Sequence, residues 1–207
     1  MALTDAFPTE WQRRPLKELS RIQAGPSNIT GDLMPPGESG APVLSPAEIS
    51  WYDIAPIAAR SVSPEAGERL RRYKIMPGDL VCVRTGDLGR AALVNQAQEG
   101  WILGTSCLRI TLTGPISAGY LLRYLAHPDV RCWIKEHARY SAIPSLSTKV
   151  LGDLPVAVAP PDRQDSICDV LGALETRIAA HRALVEECER LHGWLLPRLM
   201  SGEPLKS

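Results

Sequence analysis

The sequence lacks the patterns that mark several large classes of protein. No apolar run approaches the roughly 20 residues that a membrane-spanning helix needs. The first residues, MALTDAFPTEWQRR, contain no apolar core of a signal peptide, so we expect a cytoplasmic protein. Its 5 cysteines form no CxxC pair, and we therefore expect neither a zinc site nor a disulfide framework.

Motifs of the common enzyme classes are also missing. The chain has no GxSxG, GxGxxG or HExxH motif, no Asn/Asp-Pro-Pro-aromatic signature of amino-methyltransferases, and no recognisable PD…(D/E)xK nuclease core. We predict no catalytic residue, no metal site and no cofactor bound by this chain. The alternative is a small hydrolase whose active site is assembled from distant residues, which a deep pocket lined by histidine and carboxylate side chains would favour.

Neither sign of charge is in excess, since 23 Lys and Arg residues balance 23 Asp and Glu residues. This balance argues against a strong nucleic-acid binder that acts alone. Residues 1–161 are mildly basic, with 17 basic and 15 acidic residues, while residues 162–207 have 6 and 8. Most of the basic residues are arginine, whose guanidinium suits two-point contacts with guanine or phosphate. The surface of an ordinary soluble enzyme has a similar composition, so charge alone does not decide the function.

The most informative stretch runs from residue 73 to residue 94, with the sequence YKIMPGDLVCVRTGDLGRAALV. A Pro-Gly-Asp turn precedes a buried strand over 80–83, and an apolar strand over 91–94 follows the polar loop 84–90. Glycines in that loop permit backbone angles that other residues resist. The pattern predicts a strand–loop–strand unit, and a purely structural hairpin is the alternative for this stretch taken alone. The side chains expected to face outward are those of Arg84, Thr85, Asp87 and Arg90.

The other local patterns indicate an α+β domain with a mixed β-sheet and short helices. Ser45 and Ser63 each open a predicted helix, the first through a capping box with Glu48 and the second with Pro64 at its first position. Alternating apolar residues predict strands, and a period near 3.6 predicts helices. Further strands are expected over 42–44, 101–103, 107–113 and 150–158, and further helices over 117–126 and 129–139.

From residue 162 to residue 200 the pattern changes to that of one long helix. Apolar residues recur every three or four positions, and no proline interrupts before Pro197. A helix of over thirty residues spans roughly 45–55 Å at ~1.5 Å per residue, which exceeds the width of the preceding domain. No second long helix is predicted, so the partner of this apolar seam must come from another chain. The seam consists of Ile167, Leu171, Leu174, Ile178, Leu184, Cys188, Leu191 and Leu195.

Three segments in a fixed order carry a resemblance to a known family. They are PGDLVCVRTGDLG at 77–89, the serine-rich SAIPSLS at 141–147 that leads into Leu-Pro-Val at 154–156, and a Pro-Pro pair at 160–161 followed by Arg163, Gln164 and the long helix. Together they resemble the specificity subunit of type I restriction–modification systems. Arg163 stands where that family usually has glutamate.

The resemblance implies a half-length form of that subunit. Its full-length members carry two target recognition domains and two spacer helices, whereas this chain has one of each. Residues 1–161 would be the target recognition domain, 162–200 the spacer and dimerisation helix, and 201–207 a tail. Two copies would pair their helices as an antiparallel coiled coil and read a split, palindromic DNA target. Pairing with a different half-subunit, which gives an asymmetric target, is the alternative.

The resemblance also implies partners and a set of DNA contacts. The partners would be adenine methyltransferase subunits that bind S-adenosylmethionine, together with a motor-nuclease subunit, while this chain selects the DNA site without catalysis. A coiled-coil scaffold that never touches DNA is the rival interpretation. The predicted DNA-contacting residues are Arg84, Thr85, Arg90, Thr105, Ser106, Arg139, Tyr140, Ser141, Ser145 and Lys149.

Overall fold

The computed structural model describes residues 3–35, 38, 40–55, 60–138 and 144–201, without the side chains of Thr4 and Asp5. The chain divides into two compact units, Met1–Gln164 and Asp165–Ser207. Sheets and short helices make up the first unit, and the second contains most of one long helix. The functional boundaries expected at residues 161 and 200 stay predictions.

Short strands and helices alternate irregularly along the described chain. The strands are β1 (Gln12–Pro15), β2 (Ser20–Ala24), β3 (Ala41–Leu44), β4 (Ser61–Val62), β5 (Leu80–Val83), β6 (Ala91–Leu93), β7 (Ile102–Leu103), β8 (Cys107–Leu112) and β9 (Pro155–Val158). The α-helices are α1 (Leu16–Leu19), α2 (Pro64–Arg69), α3 (Ala118–Ala126), α4 (Pro128–His137), α5 (Thr148–Gly152) and α6 (Pro161–Met200). Single 3₁₀ turns lie at Leu3–Ala6, Thr30–Asp32, Arg71–Tyr73 and Gln96–Gln98.

A four-stranded antiparallel sheet with the order β2-β8-β5-β6 forms the centre of the first unit. Every residue of β5 is buried, which suits its unbroken apolar sequence and its place between two neighbouring strands. β5 pairs with β6 in the register that sets Leu80 opposite Leu93 and Cys82 opposite Ala91. The predicted strand–loop–strand unit is therefore confirmed.

Two smaller sheets accompany the central sheet. In the order β4-β3-β7, β3 pairs antiparallel with β4 and parallel with β7, so this sheet is mixed. β1 pairs antiparallel with β9, which joins the two ends of the first unit. Mixed strand pairing, short helices and one long carboxy-terminal helix confirm the predicted α+β fold class.

Serine side chains begin several of the short helices. The Oγ of Ser63 accepts the Ala66 N–H at 3.3 Å, and the Oγ of Ser117 accepts the Tyr120 N–H at 3.2 Å. Both helix starts were expected from sequence, because a hydroxyl at the N-cap satisfies a backbone donor that the helix leaves open. α4 also follows its expected position, although it begins at Pro128 and ends at His137.

Two local expectations are wrong. The Glu48 carboxylate accepts the Ser45 N–H at 2.8 Å and the Ser45 hydroxyl at 2.6 Å, which is one half of a capping box. The Ser45 Oγ accepts the Ala47 N–H at 3.3 Å rather than the Glu48 N–H, and the turn does not continue as a helix. The chain turns instead into a short hairpin in which Ile49 pairs with Ile54. The expected strand over 150–158 is helical at its start, because the Oγ of Ser147 caps α5, and strand β9 begins only at Pro155.

The long helix α6 has 40 residues and a length of about 60 Å at 1.5 Å per residue. Its first turn is anchored within the first unit by Gln164, which is 4% exposed. The Gln164 amide donates to the carbonyls of Ala159 at 2.9 Å and Pro115 at 3.3 Å, and its oxygen accepts the Ser117 N–H at 2.8 Å. The large apolar side chains exposed along α6 are Val170, Leu171, Leu174, Ile178, Leu184, Val185, Leu191, Trp194, Leu196, Leu199 and Met200. Pairing of this helix as a coiled coil stays a prediction.

Within the described ranges, no helix is both long enough and apolar enough to cross a lipid bilayer.

Candidate nucleic-acid interface

Three loops that are distant in the sequence meet at the end of β5. The Arg84 N–H donates to the Ser106 carbonyl at 2.8 Å, and the Arg84 carbonyl accepts the Leu146 N–H at 2.8 Å. Thr85 and Ser145 form an isolated antiparallel bridge. The backbone therefore brings the loop 84–90, the turn 104–106 and the segment 144–147 together, and each of them carries predicted DNA-contacting residues.

Loop 84–90 has a fixed shape. Gly86 and Gly89 have φ angles of 88° and 80°, in the left-handed region that L side chains rarely adopt. Leu88 is buried, and its N–H donates to the Gly86 carbonyl at 2.9 Å. A Cβ at Gly89 would lie 2.9 Å from Cδ1 of Ile134 on α4, so this end of the loop packs tightly against that helix.

The turn 104–106 is held by close backbone packing. The Cys107 N–H donates to the Gly104 carbonyl at 3.1 Å. A Cβ at Gly25 would lie 1.9 Å from the Gly104 oxygen, so only glycine fits there. Thr105 and Ser106 are half-buried at this turn, next to the backbone of Arg84.

Loop 84–90 also contains an ion-pair cluster. Asp87 lies 3.3 Å from the Nη2 of Arg131 on α4 and 3.6 Å from the Nη1 of Arg90. Arg90 is tied down further, because its Nη2 donates to the Pro46 carbonyl at 2.9 Å, and its side chain is 29% exposed. Arg90 thus braces the loop against the turn at Pro46, while the Asp87 side chain, at 38%, is the more exposed of the two.

Three arginines in and beside loop 84–90 have buried N–H groups. The Nε–H groups of Arg84, Arg90 and Arg131 are buried and have no hydrogen-bond acceptor among the described residues. A buried donor without a partner costs about 1–3 kcal/mol, so an added acceptor at this place would be favourable. With one carboxylate, that of Asp87, the cluster keeps an excess of positive charge, which suits an anionic ligand.

Sequence reasoning missed an aromatic turn beside this loop. The Tyr52 N–H donates to the Ala91 carbonyl at 3.1 Å, directly after Arg90. The Arg131 guanidinium carbon lies 5.1 Å from the centre of the Trp51 ring. Trp51 and Tyr52 lie in no recognisable motif, and the available signal was their rarity, since aromatics make up 5% of the chain.

The remaining predicted contacts are more dispersed. Ser145 is half-buried and lies where the three loops meet, because it forms a bridge with Thr85. Lys149 is exposed in the first turn of α5. A Cβ added at Gly152 of the same helix would lie 3.3 Å from the Cβ of Lys17. Arg139, Tyr140 and Ser141 lie outside the described residues.

The buried thiols belong to the core rather than to a reactive site. Burial raises the pKa of Cys82 to about 12 and also raises the pKa of Cys107, so both stay protonated at neutral pH. They lie on β5 and β8 with Val83 paired to Cys107. Within the described part of the chain, no three metal-ligating side chains form a group that could hold an ion.

The family model for the type I restriction modification DNA specificity domain matches residues 8–190. This match covers most of the sequence, and the chain belongs to that family. The resemblance inferred from the three sequence segments is thereby confirmed, and so is the prediction of a non-catalytic chain, because the specificity subunits of these systems are not enzymes.

Three solved structures share the fold of this chain. One comes from work on complex assembly and conformational transition of the type I R-M system. Its TM-score is 0.65 at 18% identity, and the match covers 93% of this chain and 46% of that chain. The S subunit from M. genitalium has a TM-score of 0.64 at 15% identity and covers 97% and 48%. The HsdS subunit from Thermoanaerobacter tengcongensis has a TM-score of 0.63 at 17% identity and covers 93% and 45%.

This chain therefore spans about half the length of the structures it resembles. No curated protein matches its sequence.

Proposed function

We propose that this chain is the DNA specificity subunit of a type I restriction–modification complex and that it reads one half of a bipartite target. The observation that carries the proposal is the meeting of three loops at Arg84, whose backbone bonds to Ser106 and Leu146. Short polar side chains and arginines are concentrated there, as they are where proteins contact phosphates and base edges.

Within this interface the residues divide by exposure and attachment. Arg84, Thr85, Thr105, Ser106 and Ser145 form the centre, where hydroxyls and a guanidinium reach base edges or phosphates. Arg90 shapes the loop through Pro46. Lys149, which is exposed on α5, contributes a phosphate contact at the margin.

The second half of the target requires a second recognition domain. The apolar side chains exposed along α6 support pairing with the same helix of a second copy, as an antiparallel coiled coil. A two-fold assembly of this kind reads a split palindrome. The same helices dock the adenine methyltransferase subunits, which bind S-adenosylmethionine, and a motor-nuclease subunit joins the complex in the cytoplasm.

The target is found by sequencing methylated DNA from cells with and without this chain. A palindromic site supports the homodimer, and an asymmetric site supports pairing with a different half-subunit. If the same sites are methylated with and without the chain, the proposal is contradicted. That result would support a scaffold that does not bind DNA.

Arg84→Ala tests the interface once the target is known. We expect DNA binding by the chain assembled with its modification subunits to weaken about 5- to 150-fold, because one good base contact contributes about 1–3 kcal/mol. Arg71→Ala is the matched control, since Arg71 is exposed on the 3₁₀ turn that precedes β5, at the other end of that strand. A gel-shift titration measures both variants. Unchanged affinity and unchanged site choice for Arg84→Ala would rule out this residue as a reader.

A further inference from the structure

A four-residue turn with an unusual backbone lies beside loop 84–90. It closes the hairpin in which buried Ile49 and Ile54 pair, and the Ser50 N–H donates to the Asp53 carbonyl at 2.9 Å. Tyr52 in this turn has a φ of 73° and is the one non-glycine residue with a positive φ among those the structure describes. Turns of this geometry normally use glycine or asparagine, because a larger side chain strains the backbone.

A strained backbone that carries a large side chain suggests that the side chain has a task. Glycine at position 52 would form the turn without strain, yet the turn carries two aromatic rings in succession, with centroids 6.1 Å apart. Tyr52 is 36% exposed, so part of the residue lies at the surface. Strain at a surface turn is retained where the surrounding structure holds a functional group in place.

The aromatic turn is attached to the predicted DNA-reading loop at two points. The Tyr52 N–H donates to the Ala91 carbonyl at 3.1 Å, where the loop enters β6. The Arg131 guanidinium lies over the Trp51 ring at 5.1 Å and contacts Asp87 at 3.3 Å, so one cation connects the turn with the loop. Turn and loop therefore form a continuous surface of aromatic and cationic side chains.

Aromatic rings at DNA-binding surfaces contact bases through their faces or enter between base pairs, and arginines beside them contact phosphates. On these grounds we propose that the Trp51–Tyr52 turn is a second DNA contact of this domain. Tyr52 packs against a base step beside the bases read by loop 84–90, and Arg131, supported by Trp51, contacts the neighbouring phosphate. This inference rests on the proposed function and adds a specificity-determining residue to it.

Tyr52→Asn separates a structural role of the ring from a role in DNA contact. Asparagine accepts a positive φ more readily than tyrosine, so the variant keeps the turn and removes the ring. We expect its midpoint of urea unfolding to equal or exceed that of the wild type, while affinity for a duplex with the identified target falls about tenfold. Tyr52→Phe, which keeps the ring, retains most of the affinity.

Met76→Asn is the matched control. Met76 is 46% exposed and lies in the turn that precedes β5, whereas loop 84–90 follows the same strand. We expect it to bind the target as the wild type does. A duplex carrying 2-aminopurine at each position near the half-site locates the contact, because its fluorescence rises where a base step is unstacked and this rise is absent with Tyr52→Asn.

The outcomes separate this inference from the proposed function. Wild-type affinity in Tyr52→Asn, with weakened binding in Arg84→Ala, overturns the aromatic contact and leaves the reading loop in place. A wild-type assembly that binds no target sequence overturns both. Equal loss of affinity in Tyr52→Asn and Met76→Asn also contradicts the inference, because the effect would then not depend on position.

Discussion

Gly89 shows how a single residue sets the shape of the predicted reading loop. Its φ of 80° penalises any other residue, and the space for a Cβ is already taken by Cδ1 of Ile134 at 2.9 Å. Gly86 has a similar φ of 88° but no atom within 4 Å of the Cβ position. The two glycines thus form a matched pair in which one position carries backbone strain alone and the other adds a steric conflict.

We expect Gly89→Ala to lower the free energy of unfolding by about 2–4 kcal/mol and Gly86→Ala by about 1–2 kcal/mol. Urea unfolding at one protein concentration measures both. Ile134→Val removes the conflicting Cδ1, so this substitution should restore part of the stability in the Gly89→Ala background. The steric argument would be contradicted if Gly89→Ala and Gly86→Ala lowered the free energy of unfolding equally and if Ile134→Val restored no stability to Gly89→Ala.

Tyr124 ties α3 to strand β9 through its hydroxyl, which donates to the Pro155 carbonyl at 2.7 Å and accepts the Ala157 N–H at 3.3 Å. Burial raises the pKa of Tyr124 to about 12. In the unfolded chain a tyrosine ionises near 10, so between these values the unfolded state loses its proton first. Stability contributed by this group is therefore complete below about pH 10 and is lost as the pH rises towards about 12.

Tyr124→Phe tests this window. The wild type should be more stable than the variant at about pH 8, because the phenylalanine leaves the Pro155 carbonyl without its donor. We expect that advantage to shrink by about 1–3 kcal/mol as the pH approaches 12. Unfolding free energies measured in urea across this range decide the matter. A difference that is constant with pH would show that Tyr124 ionises normally.

At the scale of elements, α6 differs from every short helix of the first unit in what its apolar residues contact. The short helices cover the sheets, and Leu121, Leu125, Val130 and Ile134 are fully buried. Along α6 the side chains of Leu174, Leu184 and Leu191 are about half exposed. A helix with such a stripe is stabilised in water by a second helix, which buries the stripe.

Lysine in the stripe should weaken that pairing. We expect Leu174→Lys and Leu184→Lys to lower the molar mass of the purified chain from that of a dimer towards that of a monomer, because each ammonium group would have to leave water in the paired state. Ala179→Lys is the control, since position 179 lies across the helix from Leu174. Light scattering over a range of concentrations measures the mass. An unchanged dimer in both stripe variants would exclude pairing through this surface.

At the scale of the whole molecule, the reading loops and the exposed stripe belong to separate units, Met1–Gln164 and Asp165–Ser207. Gln164 anchors the start of α6 through three backbone groups of the first unit. Because the two surfaces lie in separate units, a substitution in one should leave the function of the other unchanged. Arg84→Ala should leave the molar mass unchanged, and Leu174→Lys should leave the fold of the recognition domain intact.

Elements defined by local patterns were predictable from the sequence, and pairings between distant segments were not. The strand–loop–strand at β5 and β6 and the long helix follow from runs and periods within a few residues. The bridge between Thr85 and Ser145 joins segments far apart in the chain and has no local signal. Tertiary context also overrode local chemistry at Ser45, where the Glu48 carboxylate accepts the Ser45 N–H and hydroxyl although the chain continues as a hairpin.

The three loops at the end of β5 are joined by main-chain atoms, from Arg84 to Ser106 and from Leu146 back to Arg84. Exchange of the side chains at positions 84, 85, 105, 106 and 145 would leave these connections intact. A domain built in this way can acquire a new preference one residue at a time without first losing its framework. Libraries randomised at these five positions, and selected for methylation of altered sites, are therefore a direct route to re-addressing such a subunit.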